Sequence, residues 1–387
     1  MLRFLTSGES HGPAVTAILE GIPAGLALVP GDINQDLTRR QTGYGSGGRM
    51  KIEKDRVQIK SGVMDGQTIG APICLQVNNL DHVKWKGKAI PPMTTPRPGH
   101  ADLTGVIKYG YRDMRYSLER ASARETTARV AAAAVCRKLL GEFSITVGSY
   151  VSEIGSVVAD LSSIPIEERA KRAEESEVRC PNPKASDAMR QHIREIMTAK
   201  DTLGGVFEVA ALGVPAGLGS HVHWDRKIES RLAQALLSIH AIKGAEIGPA
   251  FENARKRGTQ VHDEIFLENE RLIRQTNRAG GTEGGITTGE PIIVRAAMKP
   301  ISTTLNPLQT VDLDHGEEAP TKYERSDFCS VPRAAVVGEA MVAFVLADAL
   351  LDKLGGDSLA EMKPRFDALR NATLTDLPMD GVETVYW

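Results

Sequence analysis

Residues Gly21–Leu26 read GIPAGL, and almost the same six residues return at Gly213–Leu218 as GVPAGL. In each place an aspartate follows and opens a helical pattern, Asp32 in the first case and Asp225 in the second. Further along, Gly66-x3-Gly70-Ala-Pro72-Ile73 returns as Gly285-x3-Gly289-Glu-Pro291-Ile292. Last, Glu119-Arg120 precedes an alanine-rich run, and Glu324-Arg325 precedes a long apolar one. Three matches in one order predict an internal duplication. The repeat is loosened, because the first two motifs start 45 residues apart in one half and 72 in the other. Related halves pack about a pseudo-twofold axis and share a core, so one compact α+β domain over residues 1–387 is expected. Arg120 and Arg325 would then face a shared cleft.

Local patterns fill in the elements. Asp32 with Gln35 reads as a capping pair opening a helix through Arg40, and Ser122 with Glu125 as a second. The alanine-rich run that follows reaches Leu140, with Gly141 as its stop. Ile228, Leu232, Ala235, Leu236 and Ile239 have helical spacing. A long apolar helix is expected from Pro332 to near Gly355, and polar amphipathic helices near 165–178 and 186–200. Short β-like runs lie at 13–20, 56–62, 71–77, 206–212 and 291–297, with Gly and Pro at their edges.

Composition narrows the function. The chain has 387 residues, 41% hydrophobic and 25% charged, which suffices for a full core. Its net charge of −2 and 5% aromatics argue against a nucleic-acid binder, which needs a basic face and rings to stack bases. Cys74, Cys136, Cys180 and Cys329 are too far apart for a CxxC motif, so a reduced cytoplasmic protein is expected. The opening MLRFLTSGESHG lacks the apolar core of a signal peptide. The apolar stretch around Met341–Leu351 is broken by Asp348 and reads as too short to span a bilayer.

Against this neutral background, Arg97–Arg129 concentrates cations: RPGHADLTGVIKYGYRDMRYSLERASARETTAR. A local cluster of arginines points to an anion site, since the guanidinium fork binds carboxylate or phosphate bidentately. The plainer reading pairs them with Asp102, Asp113, Glu119 and Glu125 on a solvated face. Pro98 and Gly99 force a turn that aims Arg97 and His100 together. A second turn, Gly8-Glu-Ser-His-Gly-Pro13, carries Ser10 and His11, and a histidine there is placed for proton transfer near neutral pH. Ser122 and Arg124 open a helix whose N-terminus favours an anion.

The loop Arg39–Arg49 contains Gly43-x-Gly45-x-x-Gly48, which matches the dinucleotide fingerprint by letters. A polar helix precedes it instead of a strand, so a loop carrying Arg40 and Arg49 over an anion fits better. An anion- or RNA-binding module built on this loop is the alternative, although such a module has no use for His11 and His100 on separate aimed turns. His221 and His223 share a strand face but lack a nearby third ligand, so no metal site is expected. Lys299–Thr304 and Gly280–Gly285 are rich in backbone donors, and Asp327 follows Arg325 on one loop as a candidate base or a mere partner.

Together these residues resemble the chorismate synthase family over nearly the full length. The segments GESHGP, GRMKIE, RPGHADL, SLERASARETTAR, DTLGG, VPAGLGS, WDRK, AIKGAEIG, GGTEGG, MKPIST and RSD stand in the family's order. The resemblance implies an anti-1,4-elimination: phosphate leaves C3 of 5-enolpyruvylshikimate 3-phosphate, a proton leaves C6, and chorismate forms. It implies reduced FMN as cofactor, with an association with NADP, although there is no net redox change. Under it, His11 with Ser10 and Arg49 assists the leaving phosphate, His100 keeps the flavin in its working protonation state, and Asp327 sits by the flavin N5. Arg40, Arg97, Arg124 and Arg325 bind substrate anions. Arg120, Ala121, Ser122, His240, Ala241, Gly284, Lys299, Pro300, Ile301, Ser302, Thr303 and again Arg325 line the flavin. The implied fold is a single-domain β-α-β sandwich of antiparallel sheets with helices outside, assembled as a homotetramer. No segment is long enough for a flavin reductase domain, so an external reductant is expected, with no nucleic acid or membrane partner. Two departures stand out. Ser46 occupies a loop position where many relatives carry arginine, and the segment Trp85–Pro96 is short.

Overall fold

The computed structural model describes residues 2–46, 54–324, 326–377 and 379–387. In chain order its main elements are β1 (Arg3–Ser7), β2 (Ala14–Glu20), α1 (Pro30–Gln41), β3 (Val57–Ser61), β4 (Ile73–Asn78) and α2 (Thr126–Gly141). Then come β5 (Thr146–Ile154), β6 (Gly205–Leu212), α3 (Ile228–Leu237), β7 (Ile242–Ile247), β8 (Ile292–Met298) and α4 (Val331–Leu354). The first sheet runs β1-β2-β4-β3. The second runs β5-β6-β8-β7, with a short strand Val157–Val158 beside β5. All these pairings are antiparallel. Read from its first strand, each sheet has the same order, first-second-fourth-third. In each half one helix (α1 or α3) separates the second strand from the third, and another (α2 or α4) follows the fourth.

Alternation in β2 and β4 turns Val15, Ala17, Leu19, Ile73, Leu75 and Val77 to one side, where they are buried. Helices α1 and α2 cover that side, α3 and α4 cover the second sheet, and α2 packs on α4. The α+β class and the antiparallel sheets are as expected. Helices do lie outside, as Ile166–Glu174 does over Tyr150 and Ala210. The most apolar helices, however, fill the layer between the sheets. The reason is in their sequence: α2 presents Ala131–Ala134, and α4 is apolar all round, so neither has a face to give to water.

Helix α4 has 24 residues, as the reading from Pro332 to near Gly355 expected, and a mean hydropathy of 2.0 over its most apolar window. That window is 83% buried inside the protein, which identifies a core helix. Gly338 lets it approach β6, because a Cβ there would stand 2.3 Å from the Phe207 ring. One carboxylate crosses the helix layer. Glu339 of α4 accepts two hydrogen bonds from Arg39, at 2.6 and 2.8 Å, and one from Ser149 at 2.9 Å, with Arg137 at 3.0 Å. Burial opposes its ionisation, but Arg137, Arg39 and Arg179 outweigh that and hold the carboxyl down at about 2.

Two expected helix starts shift. Helix α1 opens at Pro30, and Asp32, three residues past Val29, accepts the Val29 N–H at 2.9 Å. Asp225 does not cap α3 but binds His223 Nδ1 at 2.8 Å, in a turn ahead of the helix.

Candidate functional site

Between β1 and β2 the chain turns through Gly8, where φ is +102° and a Cβ would collide with the Ala14 carbonyl. Asn79, just past β4, pins this turn. Its side-chain amide donates to the Glu9 and Gly12 carbonyls at 3.1 and 2.8 Å, and its own N–H to Pro13 at 3.0 Å. The turn presents Ser10 and His11. Ser122 Oγ donates to Ser10 Oγ at 3.0 Å. His11 places Nδ1 2.6 Å from Glu119 Oε1, and its ring centroid lies 4.4 Å from that of Trp85. An ionised carboxylate only accepts, so this contact puts the Nδ1 proton on the bond to Glu119. Glu119 therefore serves His11.

The second aimed histidine is held the same way. His100 Nδ1 lies 2.6 Å from Asp102 Oδ1. Arg97 donates to Asp102 through Nε at 2.7 Å and through its other fork nitrogen at 3.0 Å. Asp102 is fully buried, which opposes ionisation, yet His100 and Arg97 hold it well below the usual carboxylate range. Arg97 also donates to Thr303 Oγ1 at 3.2 Å. Lys299 Nζ donates to the Gly99 carbonyl at 3.0 Å, and the Lys299 N–H to the Ala241 carbonyl at 2.9 Å. The 97–102 turn, His240-Ala241 and 299–303 thus meet. Burial and nearby Lys243 push the Lys299 ammonium down.

A buried cation group stands beside the His11 turn. Asp55 binds Arg124 at 2.6 Å and lies 3.5 Å from Arg40. Arg124 also donates to Asn79 Oδ1 at 2.7 Å, and Arg40 to the Ala123 carbonyl at 2.7 Å. Asp327 accepts from Ser330 Oγ at 2.7 Å and pairs with Arg333, which lies near Arg40. Arg120 crosses to β1, donating to the Gly8 and Thr6 carbonyls at 3.2 and 2.8 Å. His240 has a buried Nδ1 with no hydrogen-bond partner. Burial pushes it down, Arg129, Arg40 and His100 act the same way, and Glu125 acts against them.

The structure therefore gathers Ser10, His11, Arg40, Arg97, His100, Arg120–Ser122, Arg124, His240-Ala241, Lys299–Thr303 and Asp327 around one region. Gly284 stands apart. Gly285 N–H donates to Glu229 Oε1 in the first turn of α3, whereas His240 follows its last turn, so a ten-residue helix about 15 Å long separates them. Arg49 and Arg325, and with it the expected match to Arg120, lie outside the described residues. Ser46 closes its own turn by donating to the Gly43 carbonyl at 2.6 Å. A helix, not a strand, leads to Gly43. Among the described residues, no group of three or more His, Cys, Asp or Glu could hold a metal ion.

Sequence reasoning missed Glu119 as a histidine partner, and missed Asn79, Asp55, Trp85 and Arg333 altogether. No local spacing marks Glu119, Asn79, Asp55 or Trp85, since each acts across tens of residues, whereas Arg333 reaches back only to Ser330 and Asp327.

Comparison with known proteins gives the family. The family model described as chorismate synthase matches residues 2–351. A chorismate synthase of Aquifex aeolicus is 55% identical over 95% of this chain and 96% of its own. That of Syntrophotalea carbinolica is 54% identical over 95% and 97%, and that of Chlorobaculum tepidum 50% over 96% and 98%. A crystal structure of a chorismate synthase superposes with a TM-score of 0.78 at 48% identity, covering 95% of this chain and 96% of that one. The alternative of an RNA-binding module finds no support in these matches.

Proposed function

The chain belongs to the chorismate synthase family of carbon–oxygen lyases, and we propose that it eliminates phosphate from 5-enolpyruvylshikimate 3-phosphate to give chorismate, using reduced FMN. The observation that carries this reading is the pairing of two carboxylate-held histidines, His11–Glu119 and His100–Asp102, beside a buried arginine group. The substrate carries a phosphate and two carboxylates, and that group answers them in charge.

Departure of phosphate develops negative charge at the leaving oxygen. His11, with Nδ1 committed to Glu119, meets it with Nε2, and Ser10 stands beside it on the same turn. Arg49 belongs to this set through family resemblance. Arg40 and Arg124, held together by Asp55, supply fixed positive charge with little left to reorganise. The fork of Arg97 is engaged by Asp102 and Thr303, so it adds charge at short range.

The residues around His240 fit a phosphorylated ring system that forms hydrogen bonds. His240 Nδ1 is a buried polar atom without a partner, and Lys299 offers a cation next to it in the fold. Ala121, Ser122, Ala241 and Pro300–Thr303 would complete the lining, with Arg325 by resemblance. When bound, reduced FMN supplies electron density to the substrate ring without net redox change. His100 would hold the reduced flavin in its working protonation state, and Asp327 would help in removing the C6 proton. Gly284 would join only from another copy of the chain, which accords with the homotetramer the family implies. We place the enzyme in the cytoplasm, dependent on an external flavin reductant.

The test is anaerobic turnover with FMN kept chemically reduced, following chorismate and phosphate together. Stoichiometric release of both, abolished without reduced flavin, supports the reading. A folded, flavin-binding protein that releases neither product would overturn it.

A further inference from the structure

We propose that Glu119 is the positioning residue of the leaving-group histidine, fixing Ser10 and His11 through three hydrogen bonds made by one residue; this rests on the reading of His11 given above. The Glu119 carbonyl accepts the Ser10 N–H at 3.1 Å. Its Oε2 accepts the His11 N–H at 2.7 Å, and its Oε1 takes His11 Nδ1 at 2.6 Å. Both side chains are largely shielded, with 21% of His11 and 16% of Glu119 exposed. The carboxylate therefore grips backbone and ring of the same histidine. A rigid two-point grip of that kind sets the direction of Nε2.

A second ring and a second backbone contact hold the same residue. Trp85 lies against it at 4.4 Å, tilted by 46°, and His82 Nδ1 lies 2.9 Å from the His11 carbonyl. With Nδ1 spent on Glu119, only Nε2 remains for substrate. The carboxylate is also the counter-charge for the imidazole when it carries two protons. In the proton step itself, the Nε2–H bond breaks as the oxygen–hydrogen bond on the departing phosphate forms, and the imidazole keeps the electron pair. Glu119 touches no reacting atom.

An amide in place of the carboxylate cannot serve both donors. Glu119→Gln presents one acceptor oxygen and one NH2 group, so either one of the two bonds is lost or the ring turns to the tautomer whose Nδ1 accepts. The expected result is a kcat about 100-fold lower, with KM for the phosphorylated substrate nearly unchanged. Glu119→Ala opens a space of carboxylate size, and added formate should restore part of the lost rate.

Two readouts separate this inference from the functional reading. The first is NMR of protein labelled with nitrogen-15 at histidine. A downfield Nδ1–H signal that disappears in His11→Ala and in Glu119→Ala is expected. Its absence from the unsubstituted protein, or its survival in Glu119→Ala, overturns the inference whether or not the protein turns over substrate. The second is anaerobic turnover. Failure of the unsubstituted enzyme overturns the functional reading. An active enzyme whose Glu119→Gln variant keeps full kcat, or whose Glu119→Ala variant ignores formate, overturns the role of Glu119.

Discussion

Thr68 and Thr287 make the same hydrogen bonds in the two halves of the chain. Thr68 Oγ1 donates to the Pro23 carbonyl at 2.6 Å and accepts from Leu26 N–H at 3.0 Å. Thr287 Oγ1 donates to Pro215 at 2.7 Å and accepts from Leu218 N–H at 2.9 Å. Their backbones match too: the carbonyls accept from Gly25 and Gly217, and the N–H groups donate to Leu26 and Leu218. With the common strand order of the two sheets, this correspondence supports an ancient duplication.

The two threonines should therefore matter equally. Thr68→Val or Thr287→Val leaves a buried N–H and a carbonyl unpaired, at a cost of about 1–3 kcal/mol each. Urea unfolding at neutral pH measures both. A large loss at one site and none at the other would contradict their equivalence.

Glu339 makes stability depend on acidity. Its folded carboxyl titrates at about 2, against 4.5 ordinarily. Below 4.5 the unfolded chain takes up more protons than the folded one, so this stabilisation is full above that pH and drains away as pH falls towards 2. About 3 kcal/mol is at stake on that basis. Glu339→Gln should lower stability near neutrality by about 3 kcal/mol, because three arginines lose their buried carboxylate and keep only Asp36 and Glu174. The gap between the two proteins should narrow on acidification. Denaturation midpoints from pH 7 to 3 give the answer, and a constant gap would refute it.

Asp102→Asn should separate His100 from Arg97 without emptying the space. Turnover is expected to fall by about 100-fold or more, as for other histidines that lose an orienting carboxylate. Anaerobic assays with excess reduced FMN, alongside circular dichroism to establish folding, would show it. An unchanged rate would mean that His100 works unaided.

Ser46→Arg would add a cation to a turn now closed by the Ser46–Gly43 bond. KM for the phosphorylated substrate should fall, by up to about tenfold, or stay level, since one added ion contact is worth at most about 1.4 kcal/mol here. A clear rise would show that Ser46 is needed for the turn itself.

Elements with strong local pattern were legible in the sequence. The runs at 13–20, 56–62, 71–77, 206–212 and 291–297 are strands, as are their partners in the duplicated order. Arg3–Ser7, Thr146–Ile154 and Ile242–Ile247 were not legible. The first lies at a sheet edge with one face half-exposed, the second is buried on both faces and does not alternate, and the third reads IKGAEI, with glycine in its middle. The site shows the same division. His11, His100 and Arg97 sit on turns written in glycine and proline. Glu119, Asp55 and Asn79 have no such mark, because what defines them is a partner 108, 69 or 45 residues away.

Helix α4 leaves the ribosome late, yet its surface is wanted early. Until Val331–Leu354 is made, α2 lacks the helix it packs on most and Arg39 has no Glu339 to hold. The two halves do not share independence: the second sheet and one side of α2 wait for the last long helix, and a chain cut short of it would display an oily, membrane-like groove.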